Sequence, residues 1–348
     1  MNPYVMATLL LGLGLGTSIT LSSSHWLLAW MGLEMNTLAI IPLMAQLHHP
    51  RAVEATTKYF LTQATAAAML LFASTTNAWL TGQWDIYQMA HPLPVTLITL
   101  ALALKVGLAP LHTWLPEVLQ GLDLTTGLIM STWQKIAPFS LLIQFQHNYP
   151  ALLITLGIAS TLVGGWGGLN QTQLRKILAY SSIAHLGWMI LILQFSPTLT
   201  LLALLTYIVM TISTFLVFKL NKSTTLNALA TSWAKAPALT ALTPLVLLSL
   251  GGLPPLTGFM PKWLIIQELT SQELAPMATL AALTALLSLY FYLRLSYAMT
   301  LTLSPNTLAG TTPWRLRPAS PTLPLAASMT IAIFLLPLTP TLLILTSL

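Results

Sequence analysis

Residues 105–117 read KVGLAPLHTWLPE, and this stretch decides the fold that the sequence predicts. Lys105 stands about a dozen residues into an apolar segment, which Gly107, Pro110 and Pro116 then interrupt. Proline removes a backbone donor and clashes with the preceding turn. Within a membrane such a break is tolerated only where the freed carbonyl groups face protein or water. A charge beside a broken apolar helix is therefore typical of an ion site in a membrane protein.

The interrupted stretch recurs in the second half of the chain. Residues 107–116 read GLAPLHTWLP and residues 252–261 read GLPPLTGFMP, so five of ten positions are identical at an offset of 145 residues. The pattern predicts one broken helix in each half. Proline-containing apolar helices can resemble one another by composition alone. The matching position of the two motifs within their halves favours a true repeat.

Composition indicates a protein embedded almost entirely in a bilayer. Hydrophobic residues make up 55% of the 348 residues and charged residues only 6%, whereas a soluble domain carries about 25% charged residues. No polar block is long enough to bury a core of its own. We therefore predict an all-α polytopic membrane protein with a single membrane domain over residues 1–348.

The sequence also excludes several kinds of cofactor chemistry. It has no cysteine, which rules out disulfides, cysteine-ligated iron–sulfur clusters and thiol chemistry. The GLGLG run at residues 12–16 lacks the preceding strand and the later acidic residue of a dinucleotide fingerprint. Bis-histidine haem needs facing mid-helix histidines, and only His185 is clearly mid-helix. We expect no bound cofactor and no metal site in this chain.

Apolar segments predict about 11 transmembrane helices. Helices 4 and 9 are the broken ones, and polar loops are expected at residues 83–91, 221–236 and 304–322. The predicted helices cover about residues 3–20, 25–46, 57–80, 93–119, 124–146, 151–169, 174–194, 198–219, 237–270, 275–299 and 323–346.

The basic residues predict how these helices are oriented. The loops after helices 2, 4, 6, 8 and 10, with the adjoining helix ends, share the side of the N-terminus and hold ten of the thirteen basic residues. The other three are lysines inside helices. By the positive-inside rule the N-terminus is inside and the C-terminus outside, so the net charge of +6 reflects topology rather than nucleic-acid binding. The ten residues are Arg51, Lys58, Arg175, Lys176, Lys219, Lys222, Lys235, Arg294, Arg315 and Arg317.

The two broken helices are each the fourth of a five-helix set. Helices 1–5 cover residues 1–146, helices 6–10 cover residues 150–300, and the helix at residues 323–346 is an addition. Because five is odd, the second set enters the membrane from the other side. This arrangement predicts two inverted five-helix repeats, as in many ion-coupled transporters.

Four charged residues are predicted at membrane depth, Glu34, Lys105, Lys135 and Lys262. A charge at the bilayer centre costs roughly 2.5–3.5 kcal/mol on insertion scales, so four of them indicate a role. Buried lysines can exchange protons near neutral pH, and a facing carboxylate changes how tightly a lysine holds its proton. One alternative is snorkelling to the membrane surface, which suits Lys262 better than the other two lysines. Another is a glutamate–lysine pair that only fixes helix register.

Two histidines are weaker candidates for proton transfer. His112 follows the break at Pro110, and His185 lies mid-helix in SSIAHLGWM. Either could relay protons with hydroxyl groups or water, although a histidine bonded to a neighbouring carbonyl would explain them as well. Glu117 and Asp123 are expected at the inner surface, either admitting protons or belonging to a solvated loop.

Five stretches, taken together, carry a specific resemblance. The chain resembles, over its whole length, the antiporter-like membrane subunits of respiratory complex I, NADH:ubiquinone oxidoreductase. The stretches are MGLEMNTLAI around Glu34, KVGLAPLHTWLPEV around Lys105, STWQKIAP around Lys135, SSIAHLGWM around His185 and GLPPLTGFMPKW at Lys262.

The resemblance implies a core proton-translocating subunit of a translocase. Such a subunit couples electron transfer from NADH to ubiquinone, in other subunits, to proton pumping across the inner mitochondrial membrane. The implied roles are Glu34 and Lys105 as a modulating pair, Lys135 as the central relay, Lys262 as the distal lysine toward the outer exit, and His112 and His185 as links between half-channels.

The resemblance also implies the surroundings of the chain. NADH, FMN, iron–sulfur clusters and ubiquinone are expected in other subunits of the assembly. Expected partners are neighbouring antiporter-like subunits of complex I and lipids such as cardiolipin, with no nucleic acid. The implied location is the mitochondrial inner membrane, with the N-terminus in the matrix and the C-terminus in the intermembrane space. Residues 1–20 contain no basic residue, so no cleavable leader is expected.

Two other functions remain open at the level of sequence. A free-standing cation/proton antiporter would work with few partners, whereas a complex I subunit copurifies with a large redox assembly. A structural scaffold with residual charges would keep both assembly and pumping when those charges are neutralised.

Overall fold

The chain divides into two units, Met1–Ala159 and Ser160–Leu348, in the computed structural model. The structure describes residues 2–46, 49–89, 91–145, 150–234, 236–301 and 322–347. These residues form α-helices joined by turns, two short 3-10 helices and two isolated β-bridges. Apart from residue 322, the loop expected at residues 304–322 lies outside the described residues, with Arg315 and Arg317. Lys235 lies outside them as well.

The helices of the first unit lie in the predicted order. They are α1 (Pro3–Ser22), α2 (Trp26–Met44), α3 (Pro50–Thr81), α4 (Pro92–Val106), α5 (Trp114–Gly121), α6 (Leu124–Ser131), α7 (Trp133–Gln144) and the first part of α8 (Pro150–Gly168). Helix α3 packs against α2, α4 and α5, and α7 packs against α1, α2 and α4. Helices α2 and α4 therefore each contact both α3 and α7.

Helix α3 begins earlier than the predicted start at residue 57. Pro50 stands in its first turn, where a missing backbone N–H costs nothing. The His49 Nδ1 atom accepts a hydrogen bond from the Arg51 backbone N–H at 3.2 Å, which caps the helix start. Arg51, Glu54 and Lys58 consequently belong to the first turns of the helix.

Glycines allow α1 and α2 to approach each other closely. An added Cβ atom at Gly16 would lie 2.8 Å from the Gly32 carbonyl oxygen, and one at Gly32 would lie 2.8 Å from the Gly16 carbonyl oxygen. Small residues permit such backbone contact between helices in membranes. Gly14, by contrast, faces open space. Packing thus explains one glycine of the GLGLG run.

Both segments predicted as helices 4 and 5 are interrupted. Helix α4 ends at Val106, Gly107 adopts the left-handed conformation with φ 88°, and α5 begins at Trp114. This is the break that the prolines predicted. The continuous helix predicted over residues 124–146 is wrong, because Thr132 separates α6 from α7 with φ −114° and ψ −70°, outside regular helical geometry.

The second unit continues from α8 and contains a second broken helix. Its further elements are α9 (Leu174–Ile192), α10 (Pro197–Asn221), α11 (Leu226–Ala230), a 3-10 helix (Thr231–Ala234), α12 (Pro237–Gly251), α13 (Phe259–Ser271), α14 (Ala275–Thr300), α15 (Leu323–Phe334), a 3-10 helix (Leu336–Leu338) and α16 (Thr339–Ser347). Helix α10 packs against α9, α12, α13, α15 and α16, so it is central to this unit.

Two predictions for the second unit need correction. The polar loop expected at residues 221–236 contains α11 and a 3-10 turn, because the Thr225 hydroxyl caps a short helix through the Ala228 N–H. The one helix expected over residues 323–346 is divided into two parts that are bent by 70°. Pro337 lies at the bend, where it cannot donate the backbone hydrogen bond that would continue the helix.

The sequence repeat is also a repeat of local backbone structure. Helices α4 and α12 have 15 residues each and end immediately before a left-handed glycine, Gly107 with φ 88° and Gly252 with φ 80°. Helices α5 and α13 then begin at Trp114 and Phe259. All these positions are related by the 145-residue offset. Each unit also has an antiparallel β-bridge between the segment before its second helix and the loop before its broken helix, His25 to Asp85 and Gln173 to Thr225.

The helices are those of a multi-pass membrane protein. Among the described residues, five helices are long and apolar enough to cross a membrane, and the bent C-terminal pair would make six. Helices α4 and α12 are shorter apolar helices, each the first part of a broken one. Large apolar side chains, such as Phe72 and Leu283, are exposed on the units' outer surfaces.

Candidate functional site

The predicted glutamate–lysine pair forms in the first unit. The Lys105 Nζ atom lies 3.7 Å from the Glu34 Oε1 atom, with the lysine side chain 2% exposed and the glutamate side chain 25% exposed. The Thr37 hydroxyl donates to the Glu34 Oε2 atom at 3.2 Å. Among the described residues the lysine ammonium has no hydrogen-bond acceptor. Glu34 is therefore the nearby charge that stabilises it.

The break after α4 leaves helix carbonyl groups that side chains then cap. The Trp114 Nε1–H donates to the Leu104 carbonyl at 3.1 Å, and the Gln63 amide donates to the Lys105 carbonyl at 3.5 Å. These carbonyls belong to the last turn of the helix, where backbone partners are missing. The broken helix is thus accommodated by protein groups around Lys105, as a break at membrane depth requires.

Lys135 shares a small cavity with Lys105. It is buried in the first turn of α7, directly after the irregular Thr132. The cavity has a volume of about 20 Å³, which is room for roughly one water molecule. Both lysines contribute to its wall, with further polar lining from Asn36, Thr37, Tyr59, Gln63 and Gln134.

Lys262 in the second unit is fixed at the other broken helix. Its Nζ atom donates to the Gly251 carbonyl oxygen at 2.8 Å. Lys262 lies in the first turn of α13, and Gly251 is the last residue of α12. The ammonium therefore satisfies a carbonyl at the negative end of a helix. A snorkelling lysine would extend to a polar surface, whereas this one is buried and turned back onto the break.

His185 lies among polar groups contributed by three neighbouring helices. The Tyr292 hydroxyl oxygen on α14 is 3.5 Å from the His185 Nε2 atom. The ring of Tyr207 on α10 has its centroid 5.5 Å from that of the imidazole. A cavity of about 10 Å³ is lined by His185, Thr206 and Lys262. The histidine and the lysine predicted for the second half thus share one pocket.

The remaining predicted residues lie apart from these cavities. His112 is half-buried in the turn after Pro110 and is absent from the described lining of the cavity between the two lysines. Asp123 is exposed. Glu117 is exposed as well, and its Oε2 atom lies 2.8 Å from the Lys58 ammonium.

An exposed charge cluster therefore joins α3 to α5. Lys58 pairs with Glu54 at 2.7 Å as well as with Glu117. A hydrogen bond from Lys58, together with its charge, lowers the pKa of Glu54. Glu117 is thus anchored to a neighbouring helix by a lysine, which differs from the solvated loop considered from the sequence.

Sequence reasoning missed the uncharged polar residues of both groups. Gln63 and Trp114 cap the broken helix, and Tyr207 and Tyr292 surround His185. A hydrogen-bonding side chain within an apolar helix could have identified them. A buried tyrosine or tryptophan usually has a polar partner. Their charged neighbours gave the stronger signal, because burying a charge in a membrane costs more free energy than burying an uncharged polar group.

Comparison with known proteins gives the family. The model described as NADH:quinone oxidoreductase/Mrp antiporter, TM, matches residues 23–288, and the model described as NADH dehydrogenase subunit 2 C-terminus matches residues 289–343. The chain belongs to the NADH:quinone oxidoreductase/Mrp antiporter family. All six predicted site residues lie within the first match, and Tyr292 lies within the second.

Individual relatives agree with this assignment. Proteins called NADH-ubiquinone oxidoreductase chain 2 from Tetraodon nigroviridis and Oncorhynchus mykiss are 78% and 72% identical to this chain, over 98% of each chain in both cases. The chain is also similar to one in the structure of respiratory complex I from Thermus thermophilus with bound aureothin. That likeness has a TM-score of 0.87 and 30% identity and covers 98% of this chain and 79% of the other. The fold resemblance predicted from the five stretches is confirmed.

Proposed function

We propose that this chain is the proton-translocating membrane subunit of respiratory complex I, NADH:ubiquinone oxidoreductase, equivalent to the relatives called chain 2. The observation that carries the proposal is the cavity shared by the buried Lys105 and Lys135, with Glu34 paired to Lys105 at 3.7 Å. Two buried lysines that line one cavity with room for about one water can exchange protons and compete for them. The chain acts in an enzyme without performing redox chemistry itself.

The Glu34–Lys105 pair is suited to act as a switch. Burial disfavours the charged lysine and the nearby carboxylate favours it, so the two effects oppose each other. For two unit charges at an effective dielectric of about 20, moving from about 4 Å to about 6 Å weakens the attraction by roughly 1.4 kcal/mol. That change alters the ratio of charged to neutral lysine about tenfold. A small shift of α2 against α4 therefore controls whether Lys105 is charged.

Lys135 is the relay that responds to this switch. When Lys105 is charged, its repulsion makes a second ammonium across the shared cavity unfavourable. When the pair loosens and Lys105 loses its proton, Lys135 can bind one. In the second unit, Lys262 and His185 continue the path toward the outer exit, which the cavity that they share supports. His112 remains a proposed link on sequence grounds.

The proposal includes the partners and the location of the chain. Neighbouring antiporter-like subunits and lipids such as cardiolipin would contact the exposed apolar surfaces. NADH, FMN, iron–sulfur clusters and ubiquinone would reside in other subunits. The membrane is the inner mitochondrial membrane, with the N-terminus in the matrix and the C-terminus in the intermembrane space. The distribution of basic residues supports that orientation.

We further propose eleven membrane crossings, arranged as two inverted five-helix repeats and one C-terminal helix. Support comes from the 145-residue offset, at which both sequence and local backbone repeat. An odd number of crossings in the first set makes the second set begin on the opposite side.

Neutralising the relay lysine tests the function directly. Lys135→Met, placed at the matching position of a complex I that can be mutated, is expected to abolish most proton uptake into reconstituted vesicles while leaving assembly intact. Quinone reduction should fall in parallel if electron transfer and pumping are tightly coupled. Lys222→Met is the matched control, because Lys222 is exposed beyond the end of α10. Normal pumping by an assembled Lys135→Met enzyme would favour a structural scaffold.

The family model also names an antiporter, so purification provides the second test. A free-standing cation/proton antiporter would be isolated with few partners and would exchange cations without NADH. The complex I subunit is expected to copurify with a large NADH-oxidising assembly. The identity of 78% to a protein called NADH-ubiquinone oxidoreductase chain 2 favours the second outcome.

A further inference from the structure

A buried tyrosine in the second unit connects His185 to the broken helix that holds Lys262. The Tyr292 hydroxyl oxygen lies 3.5 Å from the His185 Nε2 atom. The tyrosine ring packs against Gly251, where an added Cβ atom would be 3.6 Å from the Tyr292 Cδ2 atom. Gly251 is also the residue whose carbonyl oxygen accepts the Lys262 hydrogen bond. One side chain therefore contacts the histidine and the residue that anchors the lysine.

The surroundings of this contact are buried and contain few charges. Tyr292 is 1% exposed and Tyr207 is fully buried. In the part of the unit that the structure describes, the titratable neighbours of His185 include Tyr207 from α10, Lys262 from α13 and Tyr292 from α14. Those three helices pack on α9, and α8 approaches it closely through Gly164 beside Ala184. The Ser181 hydroxyl, one helical turn before His185, is a further hydrogen-bond partner of Tyr292.

A tyrosine hydroxyl suits a histidine that changes its protonation state. Neutral imidazole carries one donor and one acceptor nitrogen, whereas imidazolium carries two donors. A hydroxyl group can donate to the first and accept from the second by rotating its O–H bond. Tyr292 can therefore keep its contact with Nε2 in both states. Neither a backbone carbonyl nor an ammonium group can do so, because each plays only one role.

We propose that Tyr292 is the positioning residue that holds the His185 imidazole in register with Lys262 through both protonation states. The inference rests on the proposed proton translocation and assigns a residue to it. In the step that Tyr292 serves, an N–H bond of the Lys262 ammonium breaks and an N–H bond on the imidazole forms. No electron is transferred. The cavity that both residues line is about 10 Å³, at the lower limit for one bridging water.

The test uses Tyr292→Phe at the matching position of an intact complex I that can be mutated. This variant removes one oxygen atom and keeps the ring against Gly251. Tyr290→Phe is the matched control, since Tyr290 lies on the same helix and is 58% exposed. We expect Tyr292→Phe to lower the rate of NADH-driven proton uptake about tenfold, the effect of losing a hydrogen bond to a charged group, and Tyr290→Phe to leave it unchanged.

A double variant separates positioning from a general structural effect. If Tyr292 acts through His185, Tyr292→Phe combined with His185→Gln should pump no worse than His185→Gln alone. Multiplicative losses would overturn the proposal, because the two residues would then act independently. Loss of assembly in Tyr292→Phe, with normal assembly in Tyr290→Phe, would assign the hydroxyl to folding and would also overturn it.

Lys135→Met, measured in the same vesicles, separates the role of Tyr292 from proton translocation itself. Deficient pumping by Lys135→Met together with normal pumping by Tyr292→Phe would remove the tyrosine and leave the proposed function standing. Normal pumping by Lys135→Met would instead contradict the proposed function, whatever the tyrosine variant does.

Discussion

Lys105 and Lys262 show two ways of keeping an ammonium group beside a broken helix. Lys105 depends on the carboxylate of Glu34, which belongs to a different helix, whereas Lys262 depends on a carbonyl oxygen of the break itself. A carboxylate can move with its helix or take up a proton. A backbone carbonyl at a helix end can do neither without unfolding the turn. The first lysine is therefore adjustable, and the second is held more firmly.

Neutralising Glu34 should weaken pumping more than it weakens the fold. Glu34→Gln keeps the shape of the side chain and removes the charge 3.7 Å from Lys105. A loss of even about 1 kcal/mol in charge stabilisation changes the occupancy of the charged lysine about fivefold. We expect a comparable fall in the rate of NADH-driven proton uptake, with normal amounts of assembled complex on native gels. Glu54→Gln is the control, because Glu54 is an exposed carboxylate on the neighbouring helix. Equal pumping by the two variants would contradict the switch.

The charged residues could be found from the sequence, but their contacts could not. A charge in an apolar segment is visible because its burial is costly. Which neighbour satisfies it depends on helix rotation and packing, which apolar segments specify poorly when they are hydrophobic on all sides. The family resemblance implies that Glu34 and Lys105 act as a pair, and the two side chains lie 3.7 Å apart. The sequence does not indicate the bond from Lys262 to Gly251 or the contact between Tyr292 and His185.

At the level of elements, proline and glycine explain the predicted break after α4 and the unpredicted bend after α15. The break after α4 follows from Gly107 and Pro110, and the bend after α15 follows from Pro337. The interruption at Thr132 has no such marker at its own position. Pro138 lies in the next turns of α7, and its ring opposes the carbonyl of Gln134, four residues earlier. Helix α7 also packs against α1, α2 and α4, and such packing cannot be read from local sequence.

The left-handed glycine after α12 offers a test of the break. Gly252→Ala should incur the backbone cost of a positive φ, about 1 kcal/mol, and its methyl group would lie 2.8 Å from the Lys262 Cδ atom. Gly82→Ala is the matched control, because Gly82 has φ 74° and meets nothing within 4 Å. We expect both variants to lower the melting temperature of the assembled enzyme slightly. Only Gly252→Ala should also lower the rate of NADH-driven proton uptake, since it alone displaces Lys262. Equal uptake by the two variants would show that the position of Lys262 is unimportant.

At the scale of the whole molecule, the prediction concerns which side of the membrane each loop faces. The chain has no cysteine, so single cysteines can be introduced at exposed positions and their labelled peptides identified by mass spectrometry. Thr224→Cys should react with a membrane-impermeant thiol reagent from the matrix side, and Gln272→Cys from the intermembrane side; both residues are exposed. Permeabilised membranes, in which both should react, are the control. Labelling of position 224 from the intermembrane side would contradict eleven crossings.

The 145-residue offset also matches Glu117 with Lys262. Each is the fourth residue of the helix that follows its break, in α5 and α13. Glu117 is exposed and paired with Lys58, whereas Lys262 is buried against Gly251. If the two halves descend from one duplicated gene, that ancestor carried a single residue at this position, and at least one copy has since changed the charge there. On that descent the broken backbone was kept while its chemistry diverged: Glu117 ties two helices together, and Lys262 keeps a buried ammonium group at its break.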